Sequence, residues 1–410
     1  MRWLGFALLS AAYLLGFFHR MAPAMVAPDL QAALAVNATR LGLLTASYFY
    51  IYTALQPAAG LAADWLGPRR AVGWLGLVGG AGSIVFGLAD SFAMASVGRL
   101  LVGAGTAFLF VGLMKYNSLW FSAERYGRIS GLTLLIGNLG ALLAAAPLAW
   151  LLGFVDWRGV FVGLGVFGIA LSLAVLLCVR LPPEHAPARP AARRVLAMPG
   201  IRWGALALFG TVGNIFAFAG LWTLPLLQDR FGLPREQAAA PATVLMGGLV
   251  LGVITAGWVS DRIGRRRPVA LLGATLLVLG FAGLALLPWA PGWSATLLFA
   301  LLGLGGGWVS VIYANAKELA GQGSAGFAIG IANTGLFAGA ALMQSAFGAV
   351  LDWVDPQLAG GGYGDAAWQA ALLFSTGVAA LGLAACARLT DSGPALVAAS
   401  ASPATPSPTA

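Results

Sequence analysis

The chain has 410 residues, 60% hydrophobic and only 9% charged, with a mean hydropathy of +0.86 and a net charge of +9. Soluble domains carry about 25% charged residues, so a water-soluble fold is excluded. Long unbroken apolar runs, in place of weak alternating segments, exclude a transmembrane β-barrel.

Apolar runs of about 18 residues or more can each cross a ~30 Å hydrocarbon core as a helix. Twelve such spans are predicted, at 3–27, 41–62, 71–89, 94–118, 129–152, 159–180, 203–226, 240–260, 268–288, 294–316, 326–350 and 367–388. The fold class is therefore all-α, a polytopic membrane protein with twelve transmembrane helices in two six-helix halves. The opening Met1-Arg2, an apolar stretch and small residues near Ala22 and Ala24 also fit a signal peptide. The apolar character continues to Ala27, however, and the segment is needed for an even helix count.

Residues 181–202, LPPEHAPARPAARRVLAMPGIR, are rich in Pro and Arg and read as a cytoplasmic linker between halves at 1–180 and 203–389. The segment 390–410 ends in ASPATPSPTA and reads as a disordered tail. Lys and Arg favour cytoplasmic loops. With the N-terminus inside, 15 of the 23 lie on the inner side and 4 (Arg40, Arg158, Arg230 and Arg235) on the outer. Arg20, Arg99, Lys115 and Lys317 fall within or at the edge of spans. This predicts N-in and C-in, and explains a pI of 10.1 without a nucleic-acid partner. Cys178 and Cys386 lie in apolar runs without CxxC spacing and read as small apolar residues.

The two halves echo each other. GLAADWLGPRR follows the second span and GWVSDRIGRRR the eighth, so Gly60, Asp64, Gly67, Arg69 and Arg70 recur as Gly257, Asp261, Gly264, Arg266 and Arg267. Arg265 extends the basic run of the second copy. Each Asp can meet the positive end of a neighbouring helix and pair with an Arg. Contacts present in only one of two rocking states bias that equilibrium, so both loops read as gating elements, the alternative being an ordinary loop ion pair. With its doubled G-x-L-x-D-r-x-G-r-[RK] loop, the chain resembles the major facilitator superfamily. The first copy departs by carrying Trp65 and Pro68. A further signature of that family, R-x-x-x-G-x-G in the fourth helix, is matched by Arg99, Gly103 and Gly105. The resemblance implies a structural or coupling role for Arg99 and close packing at the two glycines.

GFFHRMAPAM sets His19 and Arg20 inside the first span. Intramembrane cations are rare and functional by default; the bland alternative is snorkelling to the outer interface. The run FFHRMAPAMVAPDL is similar to the first helix of the organophosphate:phosphate antiporters, in which an Arg at the matching place meets the substrate phosphate. That family has a second Arg in helix seven, where this chain has VGNIFAFAGLWTLP, with Ala217 near the expected position. One cation suits a singly charged carboxylate or similar small anion. His19 points away from Arg20 on the helix and is either a coupling-proton carrier or a packed neutral histidine.

Tyr48, Tyr52 and Gln56 repeat every four residues on one helix face. Together with Asn138, Asn214, Asn333 and Gln344 they suggest a polar, aromatic-lined cavity, although each alone is commonly helix–helix glue. Lys115 and Lys317 occupy related places near the inner ends of helices four and ten. Either they attract anions or they mark the membrane boundary. The 14 carboxylates map to loops or span ends, which argues against cation carriers. Helix five has Ala146-Pro147 where drug antiporters carry Gly-Pro. No nucleotide loop, metal cluster or nucleophile triad is present, so no enzyme, cofactor or metal is expected.

The expectation is a secondary transporter of a small organic anion, working by alternating access in a bacterial inner membrane. A coupling proton or counter-anion and the bilayer are its other partners, and the chain is expected to act as a monomer. The alternatives are a carrier or exporter of a neutral or hydrophobic compound, and a non-transporting membrane sensor.

Overall fold

The computed structural model describes residues 2–65, 67–121, 123–181, 192–321, 324–356 and 362–393. Every regular element among them is helical, as a bilayer demands of a chain that must satisfy its own backbone. Among the described residues eleven helical segments are long and apolar enough to cross a membrane, and the 28-residue α3 (Ala38–Trp65) runs between the first two of them.

The first span is α1 (Arg2–Met21) plus α2 (Pro23–Leu34), and α3 is the second. The third to sixth spans are α4 (Gly67–Gly87), α5 (Phe92–Thr106) with α6 (Leu109–Trp120), α7 (Ala123–Leu143) with α8 (Ala146–Leu151), and α9 (Trp157–Cys178). A short α10 (Ala192–Ala197) precedes the second half. Its seventh span is α11 (Pro199–Leu208), α12 (Asn214–Ala217) and α13 (Thr223–Phe231), joined by π-helical turns Phe209–Gly213 and Phe218–Trp222. The remaining spans are α14 (Arg235–Ile263), α15 (Arg267–Leu286), α16 (Trp293–Gly306) with α17 (Val309–Ala320), α18 (Ala325–Val354) and α19 (Asp365–Ala387).

Glycine at equivalent places in the two halves brings backbones together. A Cβ on Gly105 would lie 2.4 Å from Gly79 Cα in the third span, and one on Gly305 would lie 3.1 Å from the Gly273 carbonyl in the ninth. One on Gly103 would meet the Tyr48 carbonyl at 2.4 Å, and one on Gly303 the Leu245 carbonyl at 2.2 Å. The fourth span therefore packs on the second and third as the tenth packs on the eighth and ninth, which is the repeat expressed as structure.

The first span is not the continuous helix expected over 3–27. Proline cannot donate a backbone N–H and its ring clashes with the preceding turn, so Pro23 ends α1 at Met21 and starts α2. His19 and Arg20 thus sit in the last turn of a half-helix, where a cation meets the negative end of the helix dipole.

On the outer side the halves are closed. Asp352 of α18 accepts from the Thr39 N–H at 2.8 Å and from its hydroxyl, and the Tyr363 hydroxyl donates to it at 2.5 Å. The Ala38 N–H donates back to Tyr363 at 3.0 Å. Arg235 pairs with Asp29, and the Tyr50 and Ser345 hydroxyls lie 3.0 Å apart.

Candidate functional site

Three side chains on one face of α1, Tyr13, Phe17 and Arg20, follow the 3–4 residue spacing of a helix stripe. They line a central cavity of about 90 Å³ between the halves, facing Phe216, Phe337 and Tyr313 of the second half. By liquid volume that is room for roughly three waters. Tyr52, Asn138 and Asn333 complete its polar wall, with Ser310 beside Tyr313.

Arg20 is 3% exposed. Its guanidinium carbon lies 4.4 Å from the ring centre of Phe17, 4.5 Å from Phe337, 5.0 Å from Tyr52 and 6.0 Å from Tyr48. Rings at that distance stabilise a desolvated cation by about 2 kcal/mol at best. The phenylalanine rings offer no acceptor for its five N–H donors, the Tyr48 and Tyr52 hydroxyls are the acceptors at hand, and Nε, fully buried, has no hydrogen-bond partner. Among the described residues no acidic side chain pairs with Arg20. A planar oxyanion would supply the bidentate acceptors that rings cannot.

A hydrogen-bonded chain crosses between the halves beside this cation. Tyr313 donates to Asn333 Oδ1 at 2.6 Å and Asn333 Nδ2 to Gln56 Oε1 at 3.3 Å. Gln56 Nε2 in turn donates to the Ala107 carbonyl at 3.1 Å. Tenth, eleventh, second and fourth spans are thereby linked at the cavity wall.

Arg99 occupies a different environment. In a continuous helix the His19 carbonyl would accept from residue 23, but that residue is proline. Arg99 Nη1 takes this place at 2.9 Å, and its Nη2 reaches the Thr45 carbonyl at 3.3 Å. Its guanidinium also lies 4.9 Å from the Tyr48 ring. Arg99 thus holds the break in the first span, one residue from Arg20, without lining the cavity.

The structure brings Arg20, Tyr52, Asn138 and Asn333 to the cavity wall, with Gln56 behind them. Asn138 is half-buried and donates to the Leu134 carbonyl of its own helix at 2.9 Å. Tyr48 is fully buried behind Arg20 and bonded to Thr106 at 2.8 Å. Asn214 is not at the wall: its Nδ2 donates to the Ser375 carbonyl at 2.8 Å and pins the seventh span to the twelfth. The apolar rim of helix seven turns Phe216 inward instead. Gln344 is fully buried under the outer closure, next to Gly220 and the Arg20 backbone, with both amide atoms unpartnered. Lys115 is half-buried in α6, away from the cavity lining.

His19 faces the other way. Its ring lies 5.9 Å from Phe161, and it borders a separate recess of about 30 Å³ with Gly76 and Ser172 inside the first half. Its Nδ1 is buried and unpartnered. The sequence missed Tyr13, Phe17, Phe337 and Tyr313. The α1 stripe was open to detection from its spacing with Arg20, whereas the other two are ordinary aromatics in apolar runs.

Of the two loops expected to act as gates, the side-chain positions of Gly60 and Asp64 lie outside the described residues. Gly67 adopts a left-handed φ of 69°, Arg69 Nε donates to the Leu176 carbonyl at 2.7 Å, and Arg70 is exposed. The second copy is closed on itself. Arg266 pairs with Asp261 at 2.5 Å and Glu318 at 2.6 Å, around the left-handed Gly264 that ends α14, while nothing crowds Gly257. Residues expected to begin the disordered tail also dock here. Asp391 accepts from Arg265 Nε at 2.7 Å and from the Arg266 and Arg267 N–H groups at 2.9 Å, capping α15. Residues 394–410 and linker residues 182–191 lie outside the described residues, and α10 and the first turn of α11 occupy the rest of the expected linker.

A twelve-span bundle of two matching halves around a central cavity with a buried cation defines a polytopic membrane protein with an internal ligand site. The chain belongs to the Major Facilitator Superfamily, whose family model matches residues 9–247 and 204–409. It is 25% identical over 294 residues to a probable sulfoacetate transporter of Cupriavidus necator, spanning 66% of this chain and 68% of that one. It is 29% identical over 185 residues to a galacturonate transporter of Dickeya chrysanthemi, spanning 45% and 54%, so it matches only about half the length of that relative. Its fold is that of a bacterial homologue of the human lysosomal transporter Spinster, solved inward-facing and unoccupied. The TM-score is 0.75 at 17% identity, over 95% of this chain and 97% of that one. The chain is an integral membrane protein of the bacterial inner membrane.

Proposed function

We propose that the chain is a secondary transporter that carries a small organic anion across the membrane by alternating access, with Arg20 receiving the negative group. The observation that carries this reading is Arg20 itself, a buried guanidinium at the wall of the central cavity with rings around it and no acidic partner among the described residues. The relatives named for sulfoacetate and galacturonate support it, since both solutes are small organic anions, galacturonate with one carboxylate and sulfoacetate with a carboxylate and a sulfonate. Asn138 and Asn333 each carry a second amide N–H for the body of such a solute, and the Tyr313 hydroxyl oxygen can accept from it, its proton being given to Asn333.

In this state the outer ends are held by Asp352–Thr39 and Asp29–Arg235, so the cavity is shut from outside. Opening the outer side breaks those contacts and makes others across the inner loops. No covalent bond changes in this cycle, and the chain is not an enzyme. It works as a monomer, because each chain encloses its own cavity.

Uptake of labelled sulfoacetate, galacturonate and galactose into proteoliposomes tests the proposal. Uptake of an anion but not of neutral galactose is expected. Uptake of galactose alone, or ligand-induced stabilisation with no uptake of any solute, overturns it in favour of a neutral carrier or a sensor.

A further inference from the structure

A second concavity lies apart from the central cavity. It is a groove of about 620 Å³ on the outer wall of the second half, between the seventh, eleventh and twelfth spans. Its floor is the contact of Gly210 with Gly382, where a Cβ on Gly210 would lie 2.8 Å from Gly382 Cα. Its rims are Leu206 and Leu381, exposed by 52% and 73%, and Leu342, exposed by 50%. Side chains this apolar and this exposed on a membrane span face lipid.

From Phe374 to Arg388 the groove follows α19 for roughly 20 Å, longer than one ~15 Å leaflet of the hydrocarbon core. At its cytoplasmic end the chemistry changes. Arg388 lies with its guanidinium 4.9 Å from the Trp203 ring, and both residues line the groove. An interfacial Trp and an Arg at the end of an apolar channel match the two parts of a phospholipid, an acyl chain and an anionic head group. Arg is suited to phosphate through its planar fork, and stacking on Trp pre-organises it.

We infer that this groove is a binding site for an anionic phospholipid of the cytoplasmic leaflet, its chain lying between α11 and α19 and its phosphate on Arg388. The site is separate from the central cavity and independent of what the protein transports.

Native mass spectrometry of the full chain, released from nanodiscs of mixed phosphatidylglycerol and phosphatidylcholine, tests this. Wild type should retain one more phosphatidylglycerol than Arg388→Gln, and added phosphatidylglycerol should raise its Tm more than phosphatidylcholine does. In Arg388→Gln that difference should shrink. Ala384→Phe, which fills the groove from an exposed position, should lose the retained lipid while keeping the head-group cation. Equal retention of the two lipids by wild type, or phosphatidylglycerol retention unchanged in both variants, overturns the assignment. Arg202→Gln, a nearby exposed cation outside the groove lining, should behave as wild type; loss of the lipid there instead would show a diffuse charge effect and also overturn it.

Discussion

Two arginines are buried within the membrane in the first half, Arg20 at 3% and Arg99 at 1% exposure, and they have opposite surroundings. Arg99 spends its donors on backbone carbonyls, one of which Pro23 had left without its helical partner. Arg20 is set among rings at the cavity wall. Equal burial therefore does not mean equal purpose. The first cation donates to two backbone carbonyls, whereas the second lies among rings at the cavity wall with no acidic partner among the described residues; the Nε of each is buried without a partner.

That contrast predicts a hierarchy of effects. The largest loss of stability should come from Arg99→Met, which removes the donor from the His19 carbonyl and costs about 3 kcal/mol. Thermal unfolding in detergent should show it, and Arg99→Lys should recover part by restoring one donor. If Arg99→Met kept wild-type Tm and lost only uptake, Arg99 would belong with Arg20. Next, Gly103→Ala should lower the Tm by pushing the fourth span off the second, because the obstacle at 2.4 Å is the Tyr48 backbone carbonyl, which cannot turn aside.

A smaller effect is expected at the cavity. Tyr313→Phe removes the donor to Asn333 Oδ1 at a cost of about 1 kcal/mol, roughly a fivefold loss of apparent substrate affinity, with Tm little changed. Uptake kinetics check this, and an unchanged affinity would place the Tyr313–Asn333–Gln56 chain outside the binding site.

Smallest is the strap at Asp391. Burial pushes this carboxyl up, but the Arg267 N–H, the Arg265 guanidinium and the Arg266 N–H outweigh it and hold it below its ordinary value of 3.8. With a depressed folded-state pKa, its stabilisation is complete above about pH 4 and fades as pH falls through the folded value. Asp391→Asn should cost about 0.5 kcal/mol at neutral pH, the low end for loss of a helix cap. It should also flatten the acid limb of a Tm-versus-pH curve. An unaltered acid limb would mean that the strap does not hold the Gly264–Arg267 loop.

Much of this was legible in the sequence because hydrophobic run length and a doubled loop motif are strong, local signals. The twelve spans, the two-half repeat and Arg20 all follow from them. The break in the first span was legible in principle, since Pro23 stands four residues after His19, but its consequence needs a donor from a distant span. Asn214 shows the limit of a polar count: an amide in a bundle can serve the cavity or a neighbouring backbone, and only the rotation of its helix decides. The π turns on either side of α12 change that rotation in a way no 3.6-residue periodicity expresses. Phe337 and Tyr313 were silent for a related reason, because an aromatic residue in an apolar run carries no mark of which side it faces. Docking of Asp391 depends on where α19 ends relative to the Gly264–Arg267 loop, which composition cannot state.

The central claim is that Arg20 meets the anionic group of the substrate, and anion uptake by Arg20→Gln proteoliposomes tests it most directly. Arg20→Gln should fold with near wild-type Tm yet lose roughly 100-fold in uptake efficiency, the worth of a charge-assisted hydrogen-bond pair. Anion uptake with unchanged apparent affinity in that variant would contradict the account.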